Sequence, residues 1–431
     1  MRLLLHFARF GPYHHARLRA VTAVLAPLGW EVIGLQTASL DTTYDWRESL
    51  GGTDTNGGGM EEILTVFPGR VYEEIPSGEC RRRLVTCLNE LYPDAIAVPG
   101  WGSIDARVSL GWCRRHGAKA IIMSETREND GPRRWWRERI KSLILRNVHG
   151  ALVGGAAHRS YLAKLGVPEA RIRLGYNVVD NAYFVTEAAR WREQVSGGEP
   201  LSGGSTHPFF LASNRFIERK NLGRLIEAYA RYTNSTVSNE ARSTEYQEDR
   251  ESPAPWHLCL LGDGPLRQQL ISQCHSLDLA VKESAPWELD ASQLNAAISP
   301  TVFFPGFRQI EELPRFYAGA EALVHPALEE PWGLVINEAM ASGLPVLSGN
   351  NVGAAAELII EGRNGWTFDA GSTEAITHTM IKLMALRPEE RLTMGRVSAE
   401  FLEENYPTSA FGCNLREILE IPELRRGLPF K

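Results

Sequence analysis

The 431 residues are enough for two domains, each with its own core. A composition of 43% hydrophobic and 23% charged residues is that of a globular protein and excludes a disordered chain. The formal net charge of −6 argues against general nucleic-acid binding, yet residues 1–185 carry 24 Lys and Arg against 19 Asp and Glu, and the remainder 22 against 33. The basic half could meet an acidic partner or an anionic membrane surface.

Six cysteines, Cys80, Cys87, Cys113, Cys259, Cys274 and Cys413, are scattered with no C-x-x-C pair and no His at metal-ligand spacing, which predicts free thiols and a reducing compartment. The opening MRLLLHFARFGP is too short and too interrupted by Arg9 for a signal sequence, and no run of about 18 apolar residues occurs. These features predict a cytoplasmic protein without metal or cofactor.

Leu3–Phe7 reads as a strand, and a loop with Gly11 and Tyr13 leads into a helix that ends near Leu25. Further short apolar runs follow at 31–36, 63–67, 95–98, 120–123 and 151–153, separated by amphipathic segments such as 81–91 and 103–115. Strands alternating with helices predict an α/β domain with a parallel sheet, whose ligands sit at the carboxyl ends of the strands. The loop after the first strand lacks G-x-G-x-x-G, which disfavours a dinucleotide enzyme. His14 and His15 follow that loop, either as helix histidines with satisfied partners or as functional groups. Ser124 and Glu125 open an unusually polar loop at 124–130, where Glu125 is either a ligand contact or a helix-capping carboxylate.

Arg133 to Lys141 reads RRWWRERIK, basic and aromatic. Such a helix can lie in the headgroup region of an acidic bilayer. The reading favoured is a solvated face with its tryptophans packed inward. The stretch 196–207, rich in Gly and Ser, reads as a domain linker, and 233–255 as a disordered insertion. The predicted layout is a first domain over 1–185, a linker over 186–207 and a second domain over 208–408.

The second half begins with a strand at Phe209–Leu211, followed by Arg215 and Lys220 in a loop before a helix. His257–Leu261 is a strand that turns through Gly262 into the next helix, and Val302–Phe304 is a strand leading to Phe307. Leu323 and Val324 end another apolar run, Glu330 sits in the loop after it, and 332–340 is helical, which puts about two turns between Glu330 and Glu338. A helix start of this kind offers the free N–H groups of Gly333, Leu334 and Val335 to a phosphate oxygen. Glu330 would repel that phosphate and is better suited to accept hydrogen bonds from neutral hydroxyls, as of a sugar. Taken alone, the two glutamates could equally be a helix charge and a solvated face.

The run from Glu330 through Gly333, Leu334, Asn337, Glu338 and Gly343 to Val346 resembles the E-x7-E signature of retaining GT-B glycosyltransferases of glycosyltransferase family four, and Gly353 to Asp369 resembles the segment C-terminal to that signature. The resemblance implies two Rossmann-like domains with parallel sheets facing across a cleft, the last helix, within 409–431, crossing back to the first domain. It implies a nucleotide-diphosphate sugar as donor and co-substrate. Arg215 and Lys220 resemble the clamp on the donor diphosphate, and Glu330 and Glu338 the grips on sugar and ribose. Gly262 and Phe307 fall on the nucleotide side, Gly11, Tyr13, Ser124 and Glu125 on the side of a glycan or lipid-linked acceptor. Two positions depart from the family. Ser124 or Glu125 stands where several members carry a histidine, and Val178 replaces the glycine of the segment at 175–184. A nucleotide-sugar epimerase, a phosphorylase or a non-catalytic homologue would share the architecture, but should lack one of Arg215, Lys220, Glu330 and Glu338.

Overall fold

The computed structural model describes residues 1–42, 46, 62–131, 133–196, 208–237, 255–288 and 300–422. Two compact units emerge: Met1–Asp180 with the chain from Tyr406 onward, and Asn181–Asn405. Each is built on a seven-stranded sheet.

In the first unit β1 (Arg2–Phe7) is followed by α1 (Pro12–Leu25), β2 (Glu31–Leu40) and β3 (Ile63–Val71). Next come α2 (Ser77–Leu91), β4 (Ala95–Pro99), α3 (Ile104–His116) and β5 (Lys119–Ser124). The series closes with α4 (Trp135–Leu145), β6 (Gly150–Val153), α5 (Ala156–Lys164) and β7 (Ile172–Leu174). The strands pair in the order β3-β2-β1-β4-β5-β6-β7, all parallel. Because successive side chains of a strand point to opposite faces, Leu4, Ile96 and Ile122 enter one core with Leu84 and Trp112, while Leu3, Leu5, Ala97 and Ile121 enter another with Leu18 and Val21.

The second unit starts with α6 (Asn181–Ser196), β8 (Phe209–Ser213), α7 (Leu222–Val237), β9 (His257–Leu261) and α8 (Arg267–Ser276). After β10 (Ala280–Lys282), β11 (Thr301–Gly306) and α9 (Leu313–Gly319) come β12 (Ala322–His325) and α10 (Leu334–Ala341). The rest is β13 (Val346–Gly349), α11 (Gly353–Leu358), β14 (Gly365–Phe368), α12 (Thr373–Met384) and α13 (Pro388–Asn405). The order is β10-β11-β9-β8-β12-β13-β14, again parallel. The final helix, α14 (Ser409–Glu420), packs on α1 within the first unit, so closely that a Cβ on Gly412 would lie 2.3 Å from the Ala20 carbonyl oxygen.

Several expectations need correction. Residues 186–196 are helical, not linker, and Asn181 to Phe184 belong to the second unit. The reason is packing: Phe184 is 1% exposed and meets the Tyr317 ring edge-on at 5.9 Å. Residues 197–207, the remainder of the expected linker, lie outside the described residues. The insertion expected at 233–255 overlaps α7, which runs to Val237, and Thr233 is buried; residues 238–254 lie outside the described residues. The helix expected at 332 starts at Leu334, because Gly333 takes φ +102° and the buried Trp332 indole donates to Asn337 Oδ1 at 2.8 Å. The tryptophans of α4 do not pack inward: Trp135 is 76% exposed and Trp136 43%. No helix among the described residues is long and apolar enough to cross a membrane.

Candidate functional site

In the second sheet the chain leaves β8 toward β9 on one side and reaches β12 on the other, so the order reverses between β8 and β12. A crevice opens at the carboxyl ends of strands where the order reverses in this way. The loops that leave β8 and β12 carry Arg215, Lys220 and Glu330.

Asn221 ties those loops together. It adopts φ +58°, and its amide donates to the carbonyls of Pro326 at 3.1 Å and Ala370 at 2.8 Å. Leu328 N–H donates to the Arg219 carbonyl at 3.0 Å. The consequence is a hydrogen-bonded ion pair: Lys220 Nζ donates to Glu330 Oε2, both side chains being about nine-tenths buried. Arg219 Nη2 lies 3.9 Å from Glu330 Oε1, and His325 Nε2, at the end of β12, 3.7 Å from Oε2.

Burial pushes the Glu330 carboxyl up, but His325 and the Lys220 ammonium outweigh it and hold the carboxyl at about 2. Glu330 is therefore ionised at neutral pH. Burial lowers Lys220, and the charges of Arg219 and Arg215 add to this against the pull of Glu330. Arg215 is thus within electrostatic reach of Lys220. Lys220 and Arg219 face one carboxylate and Arg215 acts on Lys220, a cluster whose positive charge suits a polyanion.

Glu338 faces the protein interior from α10. It is 1% exposed and its Oε2 accepts from the Tyr317 hydroxyl at 2.6 Å. Gly333, Leu334 and Val335 occupy the N-cap and first turn of α10, whose N–H groups take no intrahelical partner. Gly262 is required by packing: it adopts φ +127°, and a Cβ there would fall 1.9 Å from the Asn214 carbonyl oxygen. Its N–H donates to the Gly306 carbonyl at 3.1 Å, which brings the loop with the half-buried Phe307 beside it.

In the first unit, Gly11 caps α1, and its N–H donates to His14 Nδ1 at 2.9 Å while the His14 ring stacks on Phe7 at 3.9 Å. His14 thus has a structural role, and burial pushes its pKa well down. Tyr13 is half-buried with Trp46 edge-on at 6.5 Å. Ser124 is buried at the end of β5 and accepts from Thr126 N–H at 3.2 Å, whereas Glu125 is exposed. The ends of β1 and β5 lie two strand spacings apart, roughly 10 Å, on one edge of the sheet.

Sequence reasoning missed Asn221, Arg219 and His325 as parts of this cluster. It also missed Asn214, which is 7% exposed and whose two amide atoms have no partner among the described residues. An Asn directly after a short turn was the signal available for Asn221, since Asn tolerates the left-handed region.

Residues 202–400 match the family described as "Glycosyl transferases group 1". Among curated proteins, the chain is 26% identical over 222 residues to alpha-1,3/1,6-mannosyltransferase alg-2 of Neurospora crassa, covering 49% of this chain and 43% of that one. It is 26% identical over 238 residues to a GDP-mannose-dependent alpha-(1-6)-phosphatidylinositol monomannoside mannosyltransferase of Mycolicibacterium smegmatis, covering 54% and 50%. The match thus spans about half the length of these relatives. Among solved structures, Anabaena Alr3699/HepE in complex with UDP-glucose superposes with a TM-score of 0.64 at 15% identity over 97% of this chain and 99% of that one. The family match is confined to residues 202–400, and the chain as a whole has the GT-B fold of two Rossmann-like domains.

Proposed function

We propose that the chain is a retaining glycosyltransferase that moves a hexose from a nucleotide-diphosphate sugar to a hydroxyl of a glycan, glycolipid or small-molecule acceptor. One observation carries this reading: Arg215, Lys220 and Glu330 meet at the strand-order reversal between β8 and β12. A departing nucleoside diphosphate gains negative charge, and the fixed cations Arg215 and Lys220 stabilise it without a metal. Glu330, ionised and held by Lys220, accepts hydrogen bonds from sugar hydroxyls. Glu338 takes the ribose hydroxyls alongside Tyr317, and the first turn of α10 with Gly333, Leu334 and Val335 holds phosphate oxygens. Gly262 and Phe307 border the nucleotide; Gly11, Tyr13, Ser124 and Glu125 border the acceptor.

Retention follows from attack on the face the leaving group departs. The bond from the sugar's anomeric carbon to the diphosphate oxygen breaks, the bond to the acceptor oxygen forms on the same side, and the acceptor's proton passes to the departing oxygen. The reading places the protein in the cytoplasm, at the inner face of a membrane where the acceptor is lipid-linked.

The names of the similar proteins set the donor panel, since one structure holds UDP-glucose and one relative uses GDP-mannose. Release of nucleoside diphosphate is measured from UDP- and GDP-sugars, with and without glycan and lipid-linked acceptors. Acceptor-stimulated release from one donor, with an unchanged anomeric configuration in the product, is expected. Release of none, together with no binding of UDP or GDP, overturns the reading.

A further inference from the structure

Among the five helices that follow one another up to residue 164, α4 is built inside out. Its only buried residue is Leu145, while Trp135, Trp136, Ile140 and Leu143 are 76%, 43%, 51% and 60% exposed. Trp136, Ile140 and Leu143 stand at i, i+4 and i+7, and Trp135, Arg139 and Arg146 form the neighbouring row, so the apolar residues make one outward stripe. The opposite face is fixed by polar contacts: Lys141 Nζ lies 2.8 Å from both Glu138 Oε1 and the Tyr161 hydroxyl, and the Arg133 guanidinium sits 4.7 Å over the Tyr161 ring. The helix therefore does not owe its position to the stripe, which is left for another occupant.

Charge decides which occupant. Between Arg133 and Arg146 there are six basic residues and one carboxylate. Arg134, Arg137, Arg139 and Arg146 are exposed and make no ion pair among the described residues. Arg139, Arg146, Trp135 and Leu143 also line a shallow cavity of about 570 Å³ whose carboxylates, Glu128 and Glu138, are paired with Lys164 and Lys141. A second copy of the chain would bring like charges face to face. A bilayer with anionic headgroups satisfies both features, because tryptophans favour the interface while guanidinium groups meet lipid phosphates.

We infer that α4 docks on an anionic membrane surface, inserting Trp135, Trp136, Ile140 and Leu143 among the headgroups, with Arg134, Arg137, Arg139 and Arg146 on lipid phosphates. The chain enters α4 from the sheet edge that carries Ser124 and Glu125, so docking brings that edge toward the lipid; for this purpose the inference rests on the transferase reading above.

The test is co-sedimentation of the full chain with vesicles of phosphatidylcholine and phosphatidylglycerol, or of phosphatidylcholine alone, at low and high salt. Wild type is expected to bind the anionic vesicles, with binding reduced at least about tenfold by salt, by Arg137→Glu with Arg139→Glu, or by Trp135→Ser with Leu143→Ser. All four positions are exposed, so nucleoside diphosphate release in solution is expected to stay unchanged in both variants. Wild type that ignores anionic vesicles, or variants that bind like wild type, overturn the proposal. So does a wild-type dimer that Trp135→Ser converts to a monomer without vesicle binding. Vesicle binding in a chain that releases no nucleoside diphosphate would sink the transferase reading and leave the docking face standing.

Discussion

Lys220 and Glu330 are 110 residues apart in sequence and share a hydrogen bond in the fold. Both were legible as candidates from their surroundings, Lys220 beside Arg215 after a strand and Glu330 before a helix. That they pair was not legible, because pairing depends on Asn221 fixing one loop against another. The pair has a measurable signature. Glu330 titrates at about 2 in the folded state against an ordinary 4.5. A depressed carboxylate contributes stability that is complete above the unfolded value and disappears as pH falls through the folded one. The difference in unfolding free energy between wild type and Glu330→Gln should therefore be largest near about pH 7 and shrink by about pH 3. Urea titrations at the two pH values check this, and an equal difference at both would show that the carboxylate is not held by its neighbours. His325 was missed because its place beside Glu330 depends on how the loop after β12 folds back, which no local pattern records.

At the level of elements, the short apolar runs placed the strands named from the sequence, since buried parallel strands read as near-continuous apolar stretches. Helix ends were less legible. Gly333 delays α10 by two residues through its positive φ, and α6 runs through a segment read as linker because its hydrophobic anchor, Phe184, finds Tyr317 more than 130 residues later. The outward stripe of α4 has the same spacing as an inward one, so periodicity could not tell solvent from core. The turn at Asn221 offers a prediction on this scale. Asn221→Ala loses two hydrogen bonds and puts in the left-handed region a residue that, unlike Asn, does not tolerate it, which should cost about 2 kcal/mol, whereas Asn221→Gly should cost about half of that. Chemical denaturation of both variants separates the backbone contribution from the amide's; no loss in either would show that the loops are held in some other way.

A parallel sheet was expected in the first half from the alternation of strands and helices, and two Rossmann-like domains from the family resemblance; the structure has two seven-stranded parallel sheets. The division of the chain at Asp180 and the return of the final helix to the first unit are properties of packing between distant segments, as where Phe411 and Leu415 join the core of Leu18 and Val21. Composition carries no trace of that. Under the proposed function, the second sheet supplies one place where charges from two distant loops act together on a leaving group. Acceptor-stimulated nucleoside diphosphate release, compared among wild type, Arg215→Ala, Lys220→Ala and the double variant with donor binding followed in parallel, measures this directly. Each single variant should lose about 100-fold or more in kcat, with the double variant losing less than the product of the two. Turnover at the wild-type level in Lys220→Ala would contradict it.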